Sequence, residues 1–110
     1  MWIVYKDPYK DFRNARRFGQ LKYVFSTPLG RTYHTERMLT YAREVLADWR
    51  AGDYLLMVGD PALCGVCMAV VAELDGVIPI LRWDREEFQY VPQTWDFDLD
   101  FETADDNTAT

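Results

Sequence analysis

A chain of 110 residues, of which 49% are apolar and 15% aromatic, is long enough for one hydrophobic core and too short for two domains. The net charge of −6 is unevenly distributed, because residues 1–85 contain all 12 Lys and Arg and ten of the 18 acids, whereas residues 86–110 contain the other eight acids. This acidic end disfavours direct nucleic-acid binding and favours either solubility or contact with a basic partner surface.

The sequence predicts no membrane contact. The longest apolar stretch, Leu63 to Leu74, is a dozen residues long and ends at Asp75, so it is too short to cross a bilayer. The first residues also lack the basic and then apolar pattern of a secretion signal. We therefore expect a cytoplasmic protein with no membrane partner.

The first half of the chain predicts two strands and two helices in alternation. Trp2 to Tyr5 is patterned as a short strand, Lys10 to Phe18 as a weak basic helix, and Leu21 to Phe25 as a second strand. Residues 26–31 have the Pro and Gly chemistry of a loop. Thr35 to Arg50 gives the clearest helix signal in the chain, since its apolar residues recur at helical spacing.

The second half begins with Tyr54 to Val58, an apolar run typical of a strand buried on both faces of a parallel sheet. Asp60 and Pro61 then predict a helix start, because an Asp side chain caps free amides and Pro suits the first helical position. The following segment, Leu63 to Leu74, is apolar on nearly all sides. Val77 to Leu81 is the fourth predicted strand, and Glu87 to Val91 is an antiparallel return strand.

This order of elements predicts an α/β fold, specifically a small three-layer Rossmann-like or flavodoxin-like domain. Its sheet is expected to be mostly parallel and four-stranded, with an antiparallel edge strand and three helices. Residues 1–102 are assigned to this single domain, and residues 103–110 to a disordered acidic tail. Since the apolar third helix has to be buried by the domain or by a second copy, a homodimer is one alternative.

Polar side chains follow the predicted parallel strands, at the edge where such sheets gather functional groups. They form a candidate ligand cleft that has the residue types for acid–base work or for holding a charged ligand: Asp7, Thr27, Arg31, His34, Asp60 and Asp84. The alternative interpretation is that loops are polar and that Asp60 is a helix cap. No catalytic residue is predicted, because no spacing ties the single histidine to a nucleophile.

The sequence predicts no cofactor and no metal. Neither glycine-rich phosphate-binding motif occurs, and two cysteines with one distant histidine fall short of a structural zinc site. Cys64 and Cys67 form a C-x-x-C motif, which is typical of thiol–disulfide oxidoreductases. Cys64 lies a full turn inside the predicted helix among apolar residues, however, so two buried core cysteines are the better interpretation.

The segment from Trp95 to Glu102 alternates apolar and acidic residues with the period of a strand. It is a candidate partner-binding segment, through exposed aromatic and acidic side chains: Trp95, Asp96, Phe97, Asp98, Asp100 and Glu102. The same row would also suit the solvent face of an edge strand, or a line of carboxylates that mimics DNA phosphates.

Four sequence segments resemble a group of short α/β proteins encoded by tailed bacteriophages: Arg17 to Leu21, Asp53 to Leu63, Leu81 to Arg85 and Tyr90 to Pro92. The resemblance implies a phage origin and action in the cytoplasm of a bacterial host, and it supplies no catalytic residues to carry over. The cysteine pair departs from the pattern of the group, in which aliphatic residues are usual, and this further disfavours redox chemistry.

These observations favour a non-enzymatic phage accessory protein that binds a host or phage macromolecule, through protein–protein contacts and the acidic C-terminal segment. Two alternatives stay open. One is a thiol–disulfide oxidoreductase that uses Cys64 and Cys67, and the other is a small nucleotide-binding or ligand-binding enzyme that uses the strand-end cleft.

Overall fold

The computed structural model describes residues 1–25 and 35–96, which contain a five-stranded sheet. The sheet order is β2-β1-β3-β4-β5; the first four strands run parallel to their neighbours and β5 runs antiparallel to β4. The strands are β1 (Trp2–Tyr5), β2 (Lys22–Phe25), β3 (Leu55–Leu56), β4 (Val77–Asp84) and β5 (Gln89–Asp96).

The helices of these described ranges connect the parallel strands. A 3₁₀ helix, Arg13–Phe18, lies between β1 and β2; α1 (Thr35–Val45) continues into a 3₁₀ turn before β3; and α2 (Pro61–Asp75) lies between β3 and β4. The Asp60 carboxylate accepts a hydrogen bond of 2.7 Å from the Ala62 amide at the start of α2, as the sequence predicts. Within the described residues, no helix has both the length and the apolar character needed to span a bilayer.

The structure confirms an α/β fold with a mostly parallel sheet, an antiparallel edge strand and three helices in the described ranges. Residues 1–25 and 35–96 contribute five strands to the sheet, counting the antiparallel edge strand, and the strand order is the one found in flavodoxin-like folds. Because β5 is antiparallel and the first connection is only a short 3₁₀ helix, the finer Rossmann-like or flavodoxin-like assignment stays a prediction. The predicted tail, 103–110, lies outside the described residues.

Two strands are longer than the sequence pattern predicts. β4 continues past Leu81 to Asp84, and β5 extends to Asp96 instead of ending at Val91. The extra length arises because the two strands pair with each other along all eight residues, from Val77 opposite Asp96 to the hairpin turn. The β4–β5 hairpin thereby projects beyond the short strand β3.

Each face of the sheet has its own hydrophobic core. On one face, Val4, Leu55 and Ile80 pack against α1 and α2, and on the other Ile3 and Leu56 pack against the segment that contains the 3₁₀ helix. Successive residues of a strand point to opposite faces, so the central strands are apolar throughout. This double covering confirms that the Tyr54 to Val58 run contains a buried strand.

Helix α2 packs its apolar residues within the chain itself. Four of its side chains are buried: Leu63, Cys67, Val70 and Val71. Since these contacts come from the chain's own sheet and α1, burial of α2 does not require a second copy, and the homodimer stays a prediction.

The chain leaves β3 through Gly59, which has a φ of +104°. A Cβ atom at this position would lie 2.9 Å from the Cβ atom of Tyr5 at the end of β1. Only glycine fits both the backbone conformation and the close approach. This turn therefore sets where α2 begins relative to the carboxyl ends of the central strands.

Candidate functional site

Three carboxylates of the predicted cleft lie in the described residues, and each accepts a local backbone hydrogen bond. Asp7 accepts from the Tyr9 amide at 2.9 Å, and Asp84 accepts from the Glu86 amide at 2.9 Å. Asp60 is the cap of α2. These contacts hold a loop, a hairpin turn and a helix start in place.

The hydrogen bonds of Asp7, Asp60 and Asp84 come from backbone amides two or three residues further along the chain. Thr27, Arg31 and His34, the other predicted cleft residues, lie outside the described residues. A shared ligand cleft formed by all six residues therefore stays a prediction.

A different cavity, of about 410 Å³, opens at the carboxyl ends of β3 and β4. Leu56, the last residue of β3, pairs with Leu81 of β4. The cavity forms because β4 continues three residues further, to Asp84, without β3 beside it. We call it the strand-end cavity. Its wall includes the aromatic residues Phe12, Trp83 and Tyr90; two of its lining residues, Lys10 and Arg82, are basic, and none is acidic.

Tyr90 connects the wall of the strand-end cavity to β4 and to the 3₁₀ helix. Its ring lies edge-on to Trp83 with 5.0 Å between the centroids, and its carbonyl oxygen accepts a 2.7 Å hydrogen bond from Arg17 Nη2 on the 3₁₀ helix. Burial, and secondarily the nearby carboxylate of Asp11, raise the pKa of the Tyr90 hydroxyl. The hydroxyl thus stays protonated and keeps its capacity to donate a hydrogen bond.

The β4–β5 hairpin carries a second candidate site, which we call the hairpin surface: the exposed side chains of Phe88, Val91 and Trp95. Phe88 is 74% exposed and Trp95 39% exposed. Phe88 also has a φ of +52°, a left-handed conformation that is uncommon for a bulky residue. Sequence reasoning missed Phe88 and Val91, because their exposure depends on how far the hairpin projects from the body.

The structure places only the first two residues of the predicted partner-binding segment. Trp95 lies opposite Ile78 and Asp96 opposite Val77, as the last two residues of β5. Phe97, Asp98, Asp100 and Glu102 lie outside the described residues. The predicted segment is therefore continuous with the edge strand of the sheet, and its use in binding stays a prediction.

The two cysteines are free thiols in an unreactive setting. Burial, followed by the neighbouring Cys64, raises the pKa of Cys67 to about 12. Burial and the Asp60 carboxylate likewise raise the pKa of Cys64. Because the thiolate is the nucleophile in disulfide exchange, this environment disfavours a redox role. In the described ranges, no three His, Cys, Asp or Glu side chains come together as metal ligands.

We compared the chain with protein families, with curated proteins and with solved structures. No curated protein and no solved structure matches the chain. The profile described as Phage Pam3 gp32-like protein matches residues 5–97, a range that includes the strand-end cavity and the whole hairpin. The predicted phage resemblance is thus confirmed at the level of a family, and the chain belongs to the Phage Pam3 gp32-like protein family.

Proposed function

We propose that the protein is a non-enzymatic phage accessory protein that binds a partner protein, from the host or the phage, in the host cytoplasm. The contact is made by the hairpin surface together with the acidic segment that follows it. The observation that carries the proposal is the exposure of large apolar side chains along the hairpin, at Phe88 in its turn and at Trp95 near the end of β5. Aromatic residues of this kind supply much of the binding energy in protein interfaces.

The backbone at Phe88 supports a role in recognition. A left-handed conformation costs an L-residue about 1–2 kcal/mol, and a phenylalanine exposed to this degree recovers little of that cost by burial. Gly or Asn would suit the same turn position better. An exposed aromatic side chain held in an unfavourable conformation is therefore better explained by a contact with a partner than by stability of the free protein.

The charge that follows Trp95 indicates the chemistry of the partner. Residues 96–106 contain six acids and no basic residue. Such a segment next to exposed aromatics favours a partner with an apolar depression bordered by Lys or Arg side chains.

Recognition through side chains is favoured over the addition of a strand at β5. Pro92 lies within β5 and has no amide proton, and the Tyr90 carbonyl is already engaged by Arg17. Both features reduce the ability of an edge strand to pair with another chain. The exposed side chains are thus the main features that β5 offers to a partner.

The proposal is tested by capture from bacterial lysate with the tagged full-length chain, followed by purification of the captured protein. We expect Phe88→Ala and Trp95→Ala each to weaken its binding by about ten-fold or more, as loss of an interface aromatic does. Tyr9→Ala is the matched control, because Tyr9 is 96% exposed and lies outside the hairpin. Titration calorimetry with the purified pair measures the change.

A charge-neutralised chain, Asp98→Asn with Asp100→Asn, is expected to bind more weakly and with a smaller dependence on salt. If both hairpin variants bind the captured protein as tightly as the Tyr9→Ala control, the hairpin surface is not the recognition site and the proposal fails.

A further inference from the structure

The strand-end cavity is lined by other residues than those of the hairpin surface and has the properties of a small-molecule site. Its volume of about 410 Å³ falls in the usual range for ligand pockets, roughly 300–1,000 Å³. It also lies at the carboxyl ends of two parallel strands, where open α/β sheets bind their ligands. Neither property is needed for the hairpin surface to bind a protein.

The wall of the cavity suits a flat apolar group. Phe12 and Tyr90 are buried, and Trp83, 44% exposed, packs edge-on against Tyr90. Leu56 and Leu81 supply the aliphatic part of the lining. Aromatic rings favour offset or edge-on contacts with a further ring, so an aromatic ligand would gain more here than an aliphatic one.

The charge around the cavity favours an anion. Lys10 and Arg82 are its charged lining residues, but strand side chains alternate between faces, so Arg82 points away from the face that carries Leu81 and Trp83, and its guanidinium donates to Gln93 Oε1. Lys10 is therefore the cation that the cavity offers to a ligand. The first 25 residues of the chain contain six basic and only two acidic residues. One of those acids, Asp11, is engaged by Arg13 through hydrogen bonds of 2.7 and 2.9 Å. Among the lining residues, the charge available to a ligand is therefore positive, in contrast to the net charge of the whole chain.

We infer that the strand-end cavity binds a small organic anion, whose aromatic body lies against Phe12, Trp83 and Tyr90 and whose acidic group faces Lys10. A carboxylate, sulfonate or phosphate would satisfy the same charge requirement. This site is independent of the proposed partner protein, so either can fail without the other.

The probe is 1-anilinonaphthalene-8-sulfonate, with N-phenyl-1-naphthylamine as the matched neutral compound that lacks the sulfonate. Fluorescence titration of the full-length native chain is expected to show tighter binding of the anionic probe, and binding that weakens as salt is added. A cooperative melting curve recorded in the same buffer ensures that the probe reports on the folded state.

Lys10→Gln is expected to weaken the anionic probe about five-fold, the upper end for one exposed charge pair, and to leave the neutral probe unchanged. Lys6→Gln makes the same charge change outside the cavity, where its ammonium group lies over the Tyr23 ring, and is expected to change neither affinity. Equal affinity of the two probes, equal effects of the two variants, or no binding of either probe would overturn the inference.

Discussion

At the scale of single residues, a carboxylate can either bind a ligand or accept hydrogen bonds from the protein's own backbone. The nearby backbone amides determine which of these two roles it has. Asp60 belongs to the predicted ligand cleft, and its carboxylate oxygen accepts a hydrogen bond from the Ala62 amide at the start of α2. Asp84 in the same way accepts hydrogen bonds from the Glu86 and Glu87 amides of its own hairpin turn. Residue type and position along a strand therefore do not separate a cap from a ligand-binding group, whereas hydrogen-bond partners do.

Cys67 is the residue whose environment makes a clear pH prediction. Burial raises the pKa of Cys67 from its ordinary value of 9.0 to about 12 in the folded chain, so between these values the unfolded state releases a proton that the folded state retains. We expect the free energy of unfolding to be unaffected by this thiol below about pH 9 and to fall as the pH rises through that window.

Urea unfolding at pH 7 and at pH 10.5, both values chosen to bracket about pH 9, measures this change. Cys67→Ala is expected to lower stability at neutral pH through lost packing and to remove part of the alkaline loss. Rapid labelling of the native Cys67 thiol at pH 7 would contradict the prediction, since a buried protonated thiol reacts slowly.

At the scale of elements, the β4–β5 hairpin is the feature with the greatest consequence. The β4–β5 pair contributes to the strand-end cavity, where β4 runs on past β3, and it carries the hairpin surface, which extends from Phe88 in the turn to Trp95 opposite Ile78. The 3₁₀ helix contacts this hairpin through the hydrogen bond that Arg17 donates to the Tyr90 carbonyl oxygen. The β4–β5 hairpin and the 3₁₀ helix thus build the sites, while α1 and α2 pack against the other face of the sheet.

Phe88→Gly tests the turn of this hairpin. Glycine adopts a positive φ without steric cost, so we expect the variant to be more stable than the wild type by about 0.5–1 kcal/mol, while binding of the partner protein weakens. Chemical denaturation and the calorimetric titration measure the two effects separately. A variant that loses stability would instead show that the Phe88 side chain contributes to packing of the free protein.

At the scale of the whole molecule, the family match and the fold coincide. The matched range, 5–97, begins at the end of β1 and extends one residue beyond β5, so it covers nearly all of the described sheet. Charge is divided along the same chain: the first 25 residues are basic, and residues 96–106 are strongly acidic. The two ends of the chain therefore carry net charges of opposite sign.

A chain that ends at Asp96 tests how far the folded unit extends. Since every strand of the described sheet lies within residues 2–96, we expect this shortened chain to unfold cooperatively at nearly the same temperature as the full chain. Ending the chain before Gln89 removes β5, exposes β4 and is expected to abolish the transition. A large drop in melting temperature for the first truncation would show that the acidic segment stabilises the domain. Circular dichroism during heating measures all three chains.

The sequence alone determined the α/β class, the start of α2 at Asp60 and Pro61, and the buried character of β3, because these depend on local capping and on apolar periodicity. The resemblance carried by four short segments also indicated a phage-encoded protein, which the family match confirms. These features are encoded by neighbouring residues.

Tertiary structure alone decided where the sites lie. The strand-end cavity brings Lys10 and Phe12 together with residues of β3, β4 and β5, which no spacing along the chain connects. The exposure of Phe88 depends on the length difference between β3 and β4, and that difference is set by pairing between strands rather than by the pattern of either strand. Local preferences encode which elements form, whereas register and packing determine which side chains meet.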